Sequence, residues 1–85
     1  MATAVPSPTP NPDALKFTVD ATFPEMINAT DADAAAGHPF IAAVFALDGV
    51  ASVFAMNDFV TVTRTPGADW DAITPAVQSA AADLL

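Results

Sequence analysis

The sequence predicts an α+β fold, a two-layer sandwich in which two main helices cover one face of a mainly antiparallel sheet of three to four strands, in β-β-α-β-β-α order. Three patterns predict this class. Apolar and polar residues alternate from Leu15 to Val19, as in a half-buried strand. Two runs rich in β-branched and aromatic residues flank Asn57-Asp58, which favours a hairpin. Apolar residues then recur at spacings of three and four from Trp70 to Leu84, which indicates a helix.

The chain opens with prolines that alternate with small residues. We therefore expect residues 1–12 to be a flexible, proline-rich lead-in, followed by a folded domain over residues 13–85. The first strand begins at Ala14. A second, weaker strand is predicted over residues 23–27. Proline has no N–H to donate to a neighbouring strand, so this strand should either lie at a sheet edge or begin after Pro24.

A short alanine-rich turn ending at Gly37 comes next, and a second helix follows at once. His38 occupies the N-cap position and Pro39 the first helical position, where a missing N–H costs nothing. Apolar residues from Ile41 to Leu47 lie at helical spacing, and Asp48-Gly49 ends the helix.

The predicted hairpin comprises residues 50–56 and 59–64. Its turn is Asn57-Asp58, because both residues tolerate the positive φ that a tight hairpin turn requires. Alternation along the second strand places Val60 and Val62 on one sheet face. The other face then carries Phe59, Thr61 and Thr63.

Pro75 leaves two possibilities open for the last helix, since a proline inside a helix removes one hydrogen bond and crowds the preceding turn. Either a helix that begins near Asp69 or Asp71 is kinked before Pro75, or Thr74 caps a separate helix. In both cases Trp70 and the following apolar residues pack on the sheet.

The charge of the chain excludes several classes of partner. Ten acidic residues against two basic ones give a net charge of −8, which repels nucleic-acid phosphates and anionic lipid headgroups. We therefore expect no nucleic acid and no membrane, and a chain that is monomeric by itself. The same charge favours encounters with a basic protein partner, although solvation of the surface is the commoner reason for such a charge.

The chain contains no cysteine, which removes disulfides, thiolate chemistry and an iron–sulfur cluster ligated by this chain. We expect no cofactor and no bound metal. The chain also has no basic and apolar leader and no run of transmembrane length, so we expect a cytoplasmic protein.

Few residues indicate chemistry, and we expect no enzymatic activity. His38 is the only histidine, and its position at a helix start explains it without a catalytic role. Asn11 and Asp13 can form side-chain turns that fix the entry to the first strand. Lys16 and Arg64 are the two basic residues, and both lie on predicted strands. Asn11, Asp13, Lys16 and Arg64 are therefore the candidate surface for a partner.

Several motifs that span most of the chain resemble one family. They are Pro10-Asn11-Pro12-Asp13-Ala14-Leu15-Lys16-Phe17, Pro39 with Phe45-Ala46-Leu47-Asp48-Gly49-Val50, Val53-Phe54, Asp58-Phe59-Val60-Thr61-Val62-Thr63, and Asp69-Trp70. Together they resemble the N-terminal domain of Nfu/NifU-type iron–sulfur scaffold proteins. In that family the domain precedes a second one, whose Cys-x-x-Cys motif binds and transfers a cluster. This sequence has no matching ligands, so the resemblance implies an accessory domain without the cluster-binding domain. We expect either a stand-alone protein or a truncated part of a longer one.

The resemblance implies a non-catalytic protein-interaction module. We expect it to assist iron–sulfur cluster assembly or delivery by contacting scaffold, carrier or target proteins, without binding the cluster itself. The alternative is a domain that binds a small ligand or a peptide and is unrelated to cluster assembly. An apolar pocket or an exposed sheet edge would favour that alternative.

Overall fold

The structure is a computed structural model that describes residues 3–85, apart from the side chains of Pro24 and Ala32. Its elements are β1 (Ala4–Pro8), β2 (Ala14–Ala29), α1 (Ala32–Ala35), α2 (Pro39–Phe45), β3 (Val50–Arg64) and α3 (Trp70–Leu84). The strands form one antiparallel sheet in the order β1-β2-β3. The predicted α+β class and its helix-on-sheet layers are confirmed.

The long strand β3 folds back on itself at Asn57. Its 15 residues would span about 50 Å if extended, whereas the longest dimension of the molecule is 31 Å. The residues directly before and after β3 lie side by side: the Thr65 N–H donates to the Gly49 carbonyl at 2.8 Å. Asn57 has a φ of 53°, which suits a tight reversal. The predicted hairpin is therefore present, and the two arms of β3 meet at Asn57.

Strand β2 runs along both sides of this hairpin. Lys16 in its first half pairs with Thr61 in one arm, and Asn28 in its second half pairs with Phe54 in the other. The register shifts on either side of Phe23, where β2 passes the tip of the hairpin. The second half of β2, which contains the weaker predicted strand, consequently lies at a sheet edge, which was one of the two possibilities. The strand does not begin after Pro24, because β2 runs from Ala14 to Ala29.

The edge strand β1 corrects the expectation of a flexible lead-in over residues 1–12, of which residues 1 and 2 lie outside the described residues. Ala4 pairs with Val19, and Pro8 with Leu15. Prolines fit here because an edge strand is hydrogen-bonded on one side only, so the missing N–H can face solvent. Ala4 is buried, and its carbonyl accepts a hydrogen bond from Gln78 Nε2 at 3.1 Å, which ties β1 to α3.

The core lies between the sheet and the helices. Alternate residues of the strands, such as Phe17 and Val60, are fully buried under the apolar faces of α2 and α3. Its largest fully buried side chains are Phe17, Phe40, Ile41, Val44, Val53, Val60, Val62 and Val77. The helices therefore cover one sheet face only.

Helix α3 is continuous from Trp70 to Leu84 with Pro75 inside it. The Asp69 carboxylate caps this helix by accepting the Asp71 N–H at 2.9 Å. A separate helix capped by Thr74, one of the two possibilities left open by the sequence, is therefore wrong. His38 and Pro39 begin α2 as predicted, although the His38 side chain makes no capping hydrogen bond.

No helix within residues 3–85 combines the length and the apolar character needed to cross a membrane.

We predict that Gly49→Ala lowers the free energy of unfolding by about 2 kcal/mol or more, since a positive φ alone costs a side chain about 1–2 kcal/mol. Gly49 has a φ of +92°, and an added Cβ would lie 2.9 Å from Ala68 Cβ. Gly37→Ala is the control, because nothing lies within 4 Å of its added Cβ. We expect a change there within about 0.5 kcal/mol in urea unfolding. Equal stabilities would contradict the close packing between the base of the hairpin and the entry to α3.

Candidate functional site

The turn before β2 is fixed by its own side chains. The Thr9 hydroxyl lies 2.8 Å from the Asn11 carbonyl oxygen and 2.9 Å from that of Ala14. The Asp13 N–H donates to Asn11 Oδ1 at 3.0 Å, which closes an Asx turn. Asn11 therefore shapes the entry to β2, as its side-chain chemistry predicted.

Arg64 holds this turn against the start of α3. Its Nε donates to Asp13 Oδ1 at 3.1 Å, and a terminal guanidinium nitrogen donates to the Ala68 carbonyl at 3.1 Å. The guanidinium carbon lies 5.5 Å from the centroid of the Trp70 ring, within the range of a cation–π contact. Trp70 Nε1 donates in turn to the Pro12 carbonyl at 3.3 Å. We call Pro12, Asp13, Arg64, Ala68 and Trp70 the turn clamp.

Three of the four predicted partner-surface residues thus lie together, in or beside the turn clamp. Asn11, Asp13 and Arg64 make contacts within the chain, although the Asp13 side chain keeps 53% of its surface exposed and that of Arg64 26%. These contacts give the three residues a role in the fold. The exposed Asp13 carboxylate remains within reach of a partner.

Lys16, the fourth predicted residue, lies on the other face of the sheet. It alternates with the fully buried Phe17, so its side chain points away from the helices. Its Nζ lies 4.6 Å from the centroid of the Phe59 ring. The structure therefore divides the predicted surface between two places, the turn clamp and the helix-free sheet face.

The helix-free face carries apolar side chains that the sequence analysis did not treat as a site. Phe54 and Phe59 contact each other across the hairpin, with ring centroids 6.2 Å apart. Both are half-buried, yet neither belongs to the side chains that pack on the core. The alternation that places Phe59 opposite Val60 and Val62 was the available signal for the aromatic residues. Met26 joins this face only through the pairing of β2 with β3.

We call the apolar side chains of this face the sheet-face patch. Strand pairing joins Val5 to Thr18 and Thr18 to Phe59, so they form a row across the sheet. Met56 lies two residues after Phe54 and therefore on the same face. Asn28 pairs with Phe54, and Met26 lies two residues before Asn28, which places Met26 on this face as well. The patch comprises Val5, Met26, Phe54, Met56 and Phe59.

His38 forms no catalytic or metal-binding constellation in the part of the chain that the structure describes. Its ring lies 5.5 Å from that of Phe23, and its Nδ1 is buried without a hydrogen-bond partner among the described residues. Within residues 3–85, no group of three His, Cys, Asp or Glu side chains is placed to hold a metal ion. The helix-start role predicted from the sequence accounts for its position.

Two depressions lie on the helix side. One, of about 340 Å³, is next to Gly49 and the entry to α3, and the other, of about 390 Å³, lies between α2 and α3. Leu47 and Leu84 line the second, with small residues between them. Both are open surface features; Asp48 and Asp69 line the first, and Asp83 and Ser79 line the second.

The family model described as "Scaffold protein Nfu/NifU N terminal" matches residues 6–85. The chain belongs to the Nfu/NifU N-terminal family. The matched range includes the end of β1, the turn clamp and the whole hairpin, so the family covers nearly every element described above.

Two curated relatives illustrate the breadth of this Nfu/NifU N-terminal family. NifU-like protein 5, mitochondrial, of Arabidopsis thaliana is 36% identical over 78 residues, which cover 89% of this chain and 28% of the relative. Conserved virulence factor C of Staphylococcus aureus is 31% identical over 77 residues, which cover 89% of this chain and 21% of the relative. The chain thus spans less than a third of either relative's length.

Solved structures share the fold of this chain. The crystal structure of protein SAV1430 from Staphylococcus aureus has a TM-score of 0.79 at 27% identity and covers 94% of this chain and 98% of that one. A NifU-like protein from Saccharomyces cerevisiae has a TM-score of 0.73 at 24% identity, with 94% and 73% covered. The second likeness shows the fold alone.

We predict that Arg64→Ala lowers the free energy of unfolding by about 1–2 kcal/mol, because it removes the carbonyl hydrogen bond, the ring contact and the exposed ion pair together. Lys16→Ala is the matched control. Lys16→Ala removes the same charge but only one exposed ring contact, so we expect the free energy of unfolding to fall by about 0–0.5 kcal/mol. Urea unfolding at equal ionic strength measures both. A loss for Lys16→Ala as large as that for Arg64→Ala would contradict the turn clamp.

Proposed function

We propose that this domain is a non-catalytic protein-interaction module that assists the assembly or delivery of iron–sulfur clusters without holding a cluster. The observation that carries the proposal is membership of the Nfu/NifU N-terminal family in a chain without cysteine. Thiolates are the usual ligands of iron–sulfur clusters. A contribution of this domain to cluster chemistry therefore has to run through contact with another protein.

The charge of the chain supports a protein as the partner. A net charge of −8 repels phosphates and anionic lipids and favours encounters with basic protein surfaces. The proposed setting is the cytoplasm, and the proposed free state is a monomer, which the mutual repulsion of acidic copies favours.

The architecture supports the same role. The side chains on the helix side of the sheet are buried in the core or held in the turn clamp, whereas the opposite face presents apolar side chains to solvent. A small domain with one covered and one open sheet face can offer the open face to a second protein without unfolding.

The test is a titration of the isotope-labelled domain with a holo cluster-binding domain of Nfu type, read from amide chemical shifts at low and at moderate salt. We expect saturable shifts that cluster on one face and weaken as salt screens the opposite charges. The apo form of the cluster-binding domain serves as a control for dependence on the cluster.

An absence of shifts with the holo domain and with other maturation proteins, in a sample whose spectrum shows a folded domain, would contradict this function. Specific shifts produced by a small metabolite around the depression between α2 and α3 would instead support the ligand-binding alternative.

A further inference from the structure

The sheet-face patch contains most of the exposed large apolar side chains of the described residues. Val5 is 58% exposed, Met26 61% and Met56 36%, and only Leu84 among the other described residues belongs to the same class. The half-buried rings of Phe54 and Phe59, which contact each other, complete the patch. Contiguous apolar surface of this kind on a small protein indicates a contact site.

The charged side chains on this face of the sheet balance each other. Alternation with the buried residues of β2 places Lys16 and Asp20 on the helix-free face, and both are exposed. Glu25 and Asp58 are chain neighbours of patch residues, so alternation places them off this face. Among the described residues of the sheet, the face thus carries one cation and one anion. The net charge of −8 lies elsewhere on the chain, so the face itself does not repel an acidic protein.

Lys16 and Asp20 are placed symmetrically about a row of residues that crosses the strands. Strand pairing joins Val5 to Thr18 and Thr18 to Phe59, which defines the row. Lys16 lies two residues before Thr18 and Asp20 two residues after it, about 7 Å on either side of the row. A two-fold axis along the row brings Lys16 of one copy opposite Asp20 of a second copy, and the reverse. Val5 and Phe59 then meet their own counterparts, as in an isologous interface.

The side chains of the patch suit the space between two such sheets. Sheets that pack face to face lie about 10 Å apart, and side chains from both inner faces fill the gap. Phe54 and Phe59 offer rings that do not pack on the core, and Met26 and Met56 add thioether side chains that adapt their shape to a neighbour. The product has four layers, with the two sheets inside and the helices of each copy outside.

The size of the face sets the strength of this association. Neighbouring strands lie about 4.8 Å apart, so β1, the first half of β2 and the two arms of β3 form a face roughly 20 Å wide. Two such faces bury roughly 800 Å² in total, below the range of stable complexes. Repulsion between two copies of net charge −8 weakens the contact further. The dilute domain therefore stays monomeric, and the dimer forms as the concentration rises.

We propose that the sheet-face patch is a self-association surface, on which a second copy of this chain binds about a two-fold axis along the row of Val5, Thr18 and Phe59. The inference goes beyond the proposed function and does not depend on it. The dimer contains two equivalent pairs of Lys16 and Asp20, one on each side of the axis. A different protein that binds the patch has to displace the second copy.

Sedimentation velocity of the whole chain over a series of concentrations tests the dimer. We expect a monomer in dilute samples and a growing fraction of dimer as the concentration approaches about 1 mM, as for a weak interface. The fraction should be larger at moderate than at low ionic strength, because salt screens the long-range repulsion more than the close pairs inside the contact. A monomer at every concentration and both ionic strengths would overturn the proposal.

Exchange of the two charges tests the symmetry. Asp20→Lys should weaken the dimer at least about tenfold, because both pairs become contacts between lysines, although this variant carries less net negative charge. Lys16→Asp should weaken it at least as much. The double variant Lys16→Asp with Asp20→Lys should restore the affinity of the parent, since both pairs form again and the net charge is unchanged. A stronger dimer for Asp20→Lys, or no recovery in the double variant, would show that this axis is wrong.

A second pair of variants tests the surface. Val5→Asp places two carboxylates against each other on the axis and should weaken the dimer at least about tenfold, with a melting temperature close to that of the parent. Leu84→Asp is the matched control, because it adds the same charge at a comparably exposed apolar position on the helix side. It should change the affinity by less than about twofold. Equal losses for the two variants would assign the association to general charge and overturn the patch as its surface.

Discussion

The reversal of β3 at Asn57 is the constraint on which the rest of the structure depends. It brings Gly49 and Thr65 into hydrogen-bond contact, so the end of α2 and the beginning of α3 lie at the same end of the sheet. The core can then form, because both helices pack on the same face of the hairpin. Since β2 pairs with both arms, a hairpin that failed to close would leave β2 without one of its two partners.

The same topology gives the two faces of the sheet different roles. On the helix side, the fully buried aliphatic and aromatic residues supply the burial that a domain of this size needs. The turn clamp closes this side by joining the N-terminal turn to Arg64 and to Trp70. The outer face contributes no side chain to the core cluster. Its apolar residues therefore contribute to the sheet and not to the core: Phe54 and Phe59 pair across the hairpin, while Val5, Met26 and Met56 are exposed.

Local pattern predicted much of this fold. The alternation around Phe17, the turn residues at Asn57-Asp58 and the proline after His38 each act within a few residues, so the hairpin and the start of α2 could be placed from the sequence. The strand β1 could not, because proline-rich segments resemble linkers until an edge position removes the need for their N–H groups. The candidate surface was predicted only in part. Alternation with the buried Phe17 and Val62 places Lys16 and Arg64 on opposite sheet faces. The contacts of Arg64 with Asp13 and Trp70, however, join segments that are far apart in the chain, so the sequence could not show them.

The central claim, that β3 is a hairpin flanked on both sides by β2, is tested most directly by measuring proton–proton contacts by NMR in the isotope-labelled domain. The account predicts contacts between the rings of Phe54 and Phe59, between the amide of Thr65 and Gly49, and between both halves of β2 and the two different arms. It also predicts slow hydrogen exchange at the Thr65 amide. Contacts of β2 with both arms, but none between the arms themselves, would contradict it.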